Sequence, residues 1–246
     1  MSGITQLGSF GSGIMYATPS GSNATPIQIG ALQDCSAELS RTVKSLYGQY
    51  QQPLATGGGE LKASLKSKMG YINAAVYANL FYGTSISTGT VSLAQNEAHA
   101  VPAVTTYTIT VTNSAMFAKD LGVTYANGNP FTLVSSAPTA GQYSVAAGVY
   151  TFAADDASAN VLISYEYTQA SVGSTVSAGL VLQGVQPIVT VDLYRGYNGT
   201  GERHRFWATT CSKLSIPTKM ADFGISELDF EAYTDSQGRF HTIYTD

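Results

Sequence analysis

Apolar and polar residues exchange places at every second position in segment after segment of this chain, a periodicity that fits strands and not helices. Leu61, Ala63 and Leu65 alternate with Lys62, Ser64 and Lys66, and Lys68 continues the basic face. Val189, Val191 and Leu193 stand opposite Ile188, Thr190 and Asp192, and Leu228, Phe230 and Ala232 stand opposite Glu227, Asp229 and Glu231. Between about 100 and 177 the runs are shorter: Tyr107 to Val111, Phe131 to Val134, Gln142 to Val145, Gly148 to Phe152 and Val161 to Tyr167. Asn127-Gly128, Ala137-Pro138, Ala147-Gly148 and Asp155-Asp156 supply the turn chemistry between them. The expected fold class is mainly β, a β-sandwich or partly closed barrel.

One segment breaks the period. Ile72, Val76 and Leu80 fall four apart, Ala74, Ala75 and Ala78 favour helix, and Gly83 stands where a left-handed C-terminal cap belongs, so a short α-helix is expected over 71–82. With Tyr77 and Phe81 on its other side, that helix should be covered on both sides. Residues 1–26 show neither period and read as an N-terminal arm. Its Ile4, Leu7, Phe10, Ile14, Met15 and Tyr16 are too apolar for a solvated tail, so the arm docks on a neighbouring subunit or folds back on its own domain. Ile27 to Ser40 should form two short strands and a turn. Residues 45–59, with Tyr47, Gly48, Tyr50, Pro53 and Gly57 to Gly59, read as a long loop or hairpin. The expected domains are a core from 27–99 and 178–246, with 100–177 either an inserted β-sandwich or a supplier of strands to the main sheet.

Charge narrows the function classes. Charged residues make up 11% of the chain, less than half of the roughly 25% usual in globular proteins, so a freely soluble monomer would have little to keep its copies apart. Extensive burial against other chains is expected. A net charge of −4 lacks the basic face that a phosphate-binding protein needs. Met1-Ser-Gly-Ile-Thr-Gln carries no basic stretch followed by an apolar run, which predicts synthesis in the cytoplasm.

No chemistry-bearing motif emerges. His99, His204 and His241 lie in separate segments, and His204, between Arg203 and Arg205, reads as part of an exposed polar face. Cys35 and Cys211 are too few for a disulfide framework or a zinc site and read as buried thiols. Gly11-Ser-Gly13 and Gly57 to Gly59 read as turns, since they lack the setting and the Lys of a phosphate loop. Asp155, Asp156 and Asp192 lack calcium-loop spacing. The expectation is a protein that is not an enzyme and has no cofactor. A carbohydrate-acting enzyme would need paired carboxylates in a cleft, whereas Glu227 and Glu231 share one strand.

Four stretches carry a resemblance: Phe10-Gly-Ser-Gly-Ile-Met-Tyr-Ala-Thr-Pro19, Leu32-Gln-Asp-Cys-Ser36, Leu46-Tyr-Gly-Gln-Tyr-Gln-Gln-Pro53 and Lys213-Leu-Ser-Ile-Pro-Thr-Lys-Met-Ala-Asp-Phe223. They resemble the major tail tube proteins of long-tailed bacteriophages and prophages. The resemblance implies a tail-tube-type β fold whose hexameric rings stack head to tail into a conduit for DNA. It implies a place in the virion after assembly in the host cytoplasm. It also implies tail terminator, baseplate or tip and tape measure proteins as partners, with DNA only in transit and no insertion into a membrane. It gives the loop carrying Tyr47, Gly48, Tyr50 and Pro53 an inter-subunit role. The three carboxylates Glu227, Asp229 and Glu231 then have two readings: they pair with Lys62, Lys66 and Lys68 across strands or between subunits, or they line an acidic lumen that phosphates pass without binding. A secreted or surface adhesin-type β-sandwich is the alternative, suggested by the Thr-, Gly- and Tyr-rich strands of 100–177.

Overall fold

A computed structural model describes residues 11, 13–21, 24–197 and 200–245. The arm positions Ile4, Leu7 and Phe10 lie outside them. The chain is mainly β and divides into two compact units, one comprising Met1–Ile86 with Val176–Asp246 and the other Ser87–Thr175.

The first unit is built on an eight-stranded sheet. Its strands are β1 (Ile14–Pro19), β2 (Ile27–Ile29), β3 (Leu32–Tyr47), β4 (Pro53–Met69), β12 (Val189–Tyr197), β13 (Thr200–Ser215), β14 (Ser226–Tyr233) and β15 (His241–Thr245). The order is β2-β1-β12-β13-β14-β4-β3, and β15 pairs with the first half of β13 while β14 pairs with the second. The sheet is antiparallel throughout and does not close on itself. Alternation sorts the side chains: Leu65 and Met69 of β4, Val191 and Leu193 of β12, Phe206 of β13 and Leu228 and Phe230 of β14 fill one core. Met15 and Ala17 of β1 belong to that core, so this part of the expected arm is a sheet strand.

Val76 and Leu80 close the core from the segment expected as an α-helix. The helix there is a π-helix, Val76–Tyr82, started by the Asn73 side chain accepting the Val76 N–H at 3.0 Å. It stops at Gly83, whose φ of 67° is left-handed and whose N–H reaches the Ala78 carbonyl. A Cβ at Gly83 would also press on Pro187 at 3.0 Å, so glycine is required twice over. On the other side of the helix Tyr77 and Phe81 are half-buried and Tyr82 is exposed.

The second unit holds β5 (Ile86–Ala100), β6 (Thr108–Thr110), β7 (Phe117–Tyr125), β8 (Thr132–Leu133), β9 (Gln142–Ala146), β10 (Val149–Phe152) and β11 (Asn160–Val176). A four-stranded sheet, β6-β10-β9-β8, and a three-stranded one, β5-β11-β7, share a single core of Ile109, Val123, Tyr143, Tyr150, Ile163 and Tyr165 among others. Ala147 and Gly148 have φ of 48° and 77°, the paired positive angles of a type I′ turn, and join β9 to β10. Residues 87–99, read from the sequence as core of the other unit, belong here because β5 pairs with β11.

Tyrosine hydroxyls dominate the polar interior of this unit. Asp120 accepts hydrogen bonds from Tyr143 and from Tyr150, the latter at 2.8 Å, and Glu97 accepts from Tyr165 at 2.6 Å. Asp156, expected in a turn, sits buried in a short 3-10 helix and accepts from Tyr125 at 2.7 Å.

Candidate assembly surfaces

The outer face of the first unit's sheet carries the charges. Register places Asp34 beside Lys68 and Lys68 beside Glu227; in the next row Ser36, Lys66, Asp229 and Lys213 stand side by side. One row further, Glu38, Ser64, Glu231 and Thr210 face one another. In the first two rows carboxylates and lysines therefore alternate across the strands, an arrangement that favours this register over a one-residue slip.

The ion pairs differ from the expected ladder. Lys213 Nζ is 3.1 Å from Glu227 Oε2, while Lys68 turns to Asp34 at 3.9 Å. Lys62 lies beyond the stretch of β4 that pairs with β14 and contacts Glu60 at 3.8 Å instead. The Lys213 hydrogen bond and charge, followed by the charges of Lys68 and Lys66, hold the Glu227 carboxyl below its ordinary range. Lys213 was missed because the β-bulge between Cys211 and Lys213 shifts its phase. Glu231 and Lys62 line one shallow depression of about 390 Å³ with Glu38 and Ser40.

Beyond the end of β14, strands β3 and β4 run on as a two-stranded ribbon. Every residue from 38 to 62 is exposed. Of the two forms expected for 45–59, a long loop or a hairpin, the segment takes the second: Val43 stands opposite Gly58, Lys44 opposite Gly57 and Tyr47 opposite Pro53, leaving only 48–52 as the turn. Gly57 to Gly59 are strand residues and not a turn, and the register shift between Arg41 and Val43 accompanies them. Val43, Leu46, Tyr47, Tyr50 and Leu54 are each 60% or more exposed. The full burial of one such aliphatic side chain is worth about 1.5–3 kcal/mol, and a lone two-stranded ribbon is marginal in water. Two further stretches of the same unit leave apolar side chains bare, Leu180 to Val185 and Ile216 to Phe223.

Polar groups on β12, β13 and β15 form a cluster that sequence reading misassigned. Arg203 and Arg205 both bind Asp192, at 3.0 and 2.8 Å, and Arg239 lies over the Trp207 ring at 3.6 Å while binding Asp235 at 2.7 Å. Burial pushes the Asp192 carboxyl up, and the Arg203 hydrogen bond and charge oppose that rise. His204 does not share the exposed face of its neighbours. It points to the core side, 9% exposed, in phase with Phe206 and Ala208, and that apolar phase was the available signal.

Among the described residues no group of three or more His, Cys, Asp or Glu side chains could hold a metal ion. Burial first of all pushes the Cys35 and Cys211 thiols up to about 12 and about 11, which leaves them protonated and unreactive at neutral pH. Among the described residues no helix is long and apolar enough to cross a membrane. No family model matches the chain, and no curated protein matches it.

Proposed function

We propose that this chain is the repeating subunit of a phage-type tail tube, a structural protein whose rings stack into a conduit for DNA. The observation that carries the proposal is the β3–β4 ribbon, a stretch of paired strand with both faces in solvent and apolar side chains on it. A ribbon of this kind finds its missing cover on another subunit, and a chain with so few charges has the surface for it. Head-to-tail stacking needs two different complementary faces, an interface that propagates along the axis while cyclic symmetry closes each ring. The ribbon with Tyr47, Gly48, Tyr50 and Pro53 supplies one such face. The exposed stretches 180–185 and 216–223 are candidates for the other.

In this reading the alternating charges around Glu227, Asp229 and Glu231 set register and orientation and do not grip a ligand. The pairing of Glu227 with Lys213 and the nearby Lys66 and Lys68 weaken the case for an uninterrupted acidic wall. The ring number of six, the place in a virion, and the terminator, tip and tape measure partners come with the resemblance and stand or fall with it.

Negative-stain electron microscopy over a range of protein concentrations tests the proposal. Hollow tubes or closed rings are expected, and their loss in a Leu46→Ser/Tyr47→Ser/Tyr50→Ser variant that keeps its circular dichroism spectrum would assign the ribbon to the interface. A monomer or a closed dimer at every concentration, also in the presence of preformed tail ends, would overturn it and favour an adhesin-like protein.

A further inference from the structure

His204 of β13 and His241 of β15 meet on the core side of the sheet. Across the ladder His204 stands opposite Ile243 and His241 opposite Phe206, so the two imidazoles are diagonal neighbours on one face. Their planes agree within 5°, the centroids are 5.3 Å apart, and His204 Nδ1 lies 3.1 Å from His241 Nε2. This is an in-plane hydrogen bond that needs one proton between the two nitrogens. A metal bridging them in line would need about 4 Å, twice a Zn–N bond of roughly 2.0 Å, so the gap is too short for one.

The other nitrogen of His204 has two suitors. Nε2 is 3.0 Å from Arg195 Nη2 and 2.9 Å from Glu202 Oε1, and Arg195 itself binds Glu202 at 2.6 Å. Bare, Nε2 accepts from Arg195, and His204 then donates through Nδ1 to His241. Protonated, Nε2 donates to Glu202 and loses the Arg195 bond, which places a cation beside a guanidinium in a half-closed site. The charged and titratable groups facing the pair are Arg195 of β12, Glu202 of β13 and, across a cavity of about 240 Å³ that also touches Leu193, Cys35 of β3. Asp192, Arg203 and Arg205 project from the opposite face of the sheet. The Phe206 ring stacks on His241 at 4.4 Å and closes the remaining side.

We propose that the His204–His241 pair is a proton-operated latch: neutral, it fastens strand β15 to the first half of β13, and on acidification through the histidine range it releases that strand. The consequence is local, because β15 pairs with β13 alone, from Glu202–Thr245 to Phe206–His241. Release bares the β13 backbone at 202–206 as an open edge able to accept another strand. This inference does not depend on the tail tube reading.

The sign follows from linkage. Burial lowers the affinity of both histidines for a proton, and the charge of Arg195 on His204, and of His204 on His241, lowers it further, against the raising effect of Glu202. With the strand released, His241 sits in water and titrates near 6.5, while His204 stays on β13 beside Arg195 and Glu202 and loses only the cover that His241 gave it. Attachment is therefore complete above about pH 6.5 and weakens as the pH falls towards the lowered folded values, by at most about tenfold per pH unit for each histidine.

Hydrogen–deuterium exchange of the full chain between pH 8 and 5, corrected for intrinsic exchange, decides the matter. The amides of 242 and 244, which face β13, should lose at most about a hundredfold protection per pH unit below about 6.5, tenfold for each histidine, while amides of 189–193 in β12 keep theirs. His241→Gln, whose amide oxygen can still accept from His204 but which does not titrate, should cut that slope to at most about tenfold per pH unit. Histidine ring-proton NMR of the unmodified protein should show His204 and His241 titrating below the ordinary value. Protection of 242 and 244 that is flat from pH 8 to 5, or His204 and His241 both titrating at the ordinary value, would overturn the proposal.

Discussion

Replacing Asp120 by alanine should unfasten the second unit from within. The carboxylate accepts from Tyr143, from Tyr150 at 2.8 Å and from the Gly122 N–H at 3.1 Å, and the two rings are 2% and 0% exposed. Without it, the hydroxyls of two buried rings lose a charged acceptor, at a cost of about 1–3 kcal/mol each. The loss of the Gly122 contact falls at a bulge, where Ser164 pairs with Gly122 and Tyr165 with Asp120, and adds a smaller amount. The sum is about 2–6 kcal/mol, or a fall of roughly one and a half to four powers of ten in the closed-to-open ratio. Trp207 lies in the first unit, so its fluorescence is a poor witness. Hydrogen exchange of the amides at 143–152 and 161–165 is the suitable assay, read in the regime where protection reports opening free energy. Asp120→Asn, which keeps one acceptor oxygen, should fall between the wild type and Asp120→Ala. Less than a tenfold loss of protection in Asp120→Ala would refute the claim that the tyrosine hydroxyls depend on this carboxylate.

Two predictions concern pH in the same unit. Burial pushes Glu97 up, but hydrogen bonds from Tyr165, the Thr112 N–H, His99 and the Thr112 hydroxyl more than offset it and hold the carboxyl at about 2. Because the folded value is depressed, its stabilisation is present above about pH 4.5 and fades as the pH falls towards 2. An acid titration followed by near-ultraviolet circular dichroism should therefore show a transition in that window, and Glu97→Gln should remove it. At the alkaline end, burial and then the Asp156 hydrogen bond push Tyr125 up to about 12, and burial followed by carboxylate contacts raises Tyr143, Tyr150 and Tyr165. Of 16 tyrosines, Tyr125, Tyr143 and Tyr150 should resist ionisation at pH 11 in an absorbance titration, and ionisation of all 16 below pH 11 would contradict that.

What the sequence discloses depends on whether a residue's neighbours in the chain are also its neighbours in space. Strand β14 was legible because Leu228 and Phe230 go in and Glu227, Asp229 and Glu231 go out without interruption. The pairing of those carboxylates was half legible: Lys66 and Lys68 do lie opposite Asp229 and Glu227, but Lys213 reaches Glu227 from a strand shifted by a bulge. Strand β7 escaped notice because Lys119 and Asp120 break its pattern and an unpaired Leu121 bulges beside Gly122. Asp120 turns inward only because two tyrosines from β9 and β10 await it. The ribbon was left between loop and hairpin because Pro53 and three glycines are poor strand formers by propensity, and cross-strand pairing overrode them. His204 was misplaced by its arginine neighbours, although strand geometry sends adjacent side chains to opposite faces.

The second unit begins and ends on hydrogen-bonded neighbours. The Ser87 hydroxyl donates to the Thr175 carbonyl at 3.2 Å, and the Thr175 hydroxyl to the Gly89 carbonyl at 2.7 Å. The gap left by cutting out everything between them is about one strand spacing, roughly 4.8 Å, which a short hairpin turn can span. Seen from the rest of the chain, Ser87–Thr175 is an oversized turn, and natural variation can lengthen, exchange or delete it as a cassette while the mutations that the remaining core must tolerate stay few.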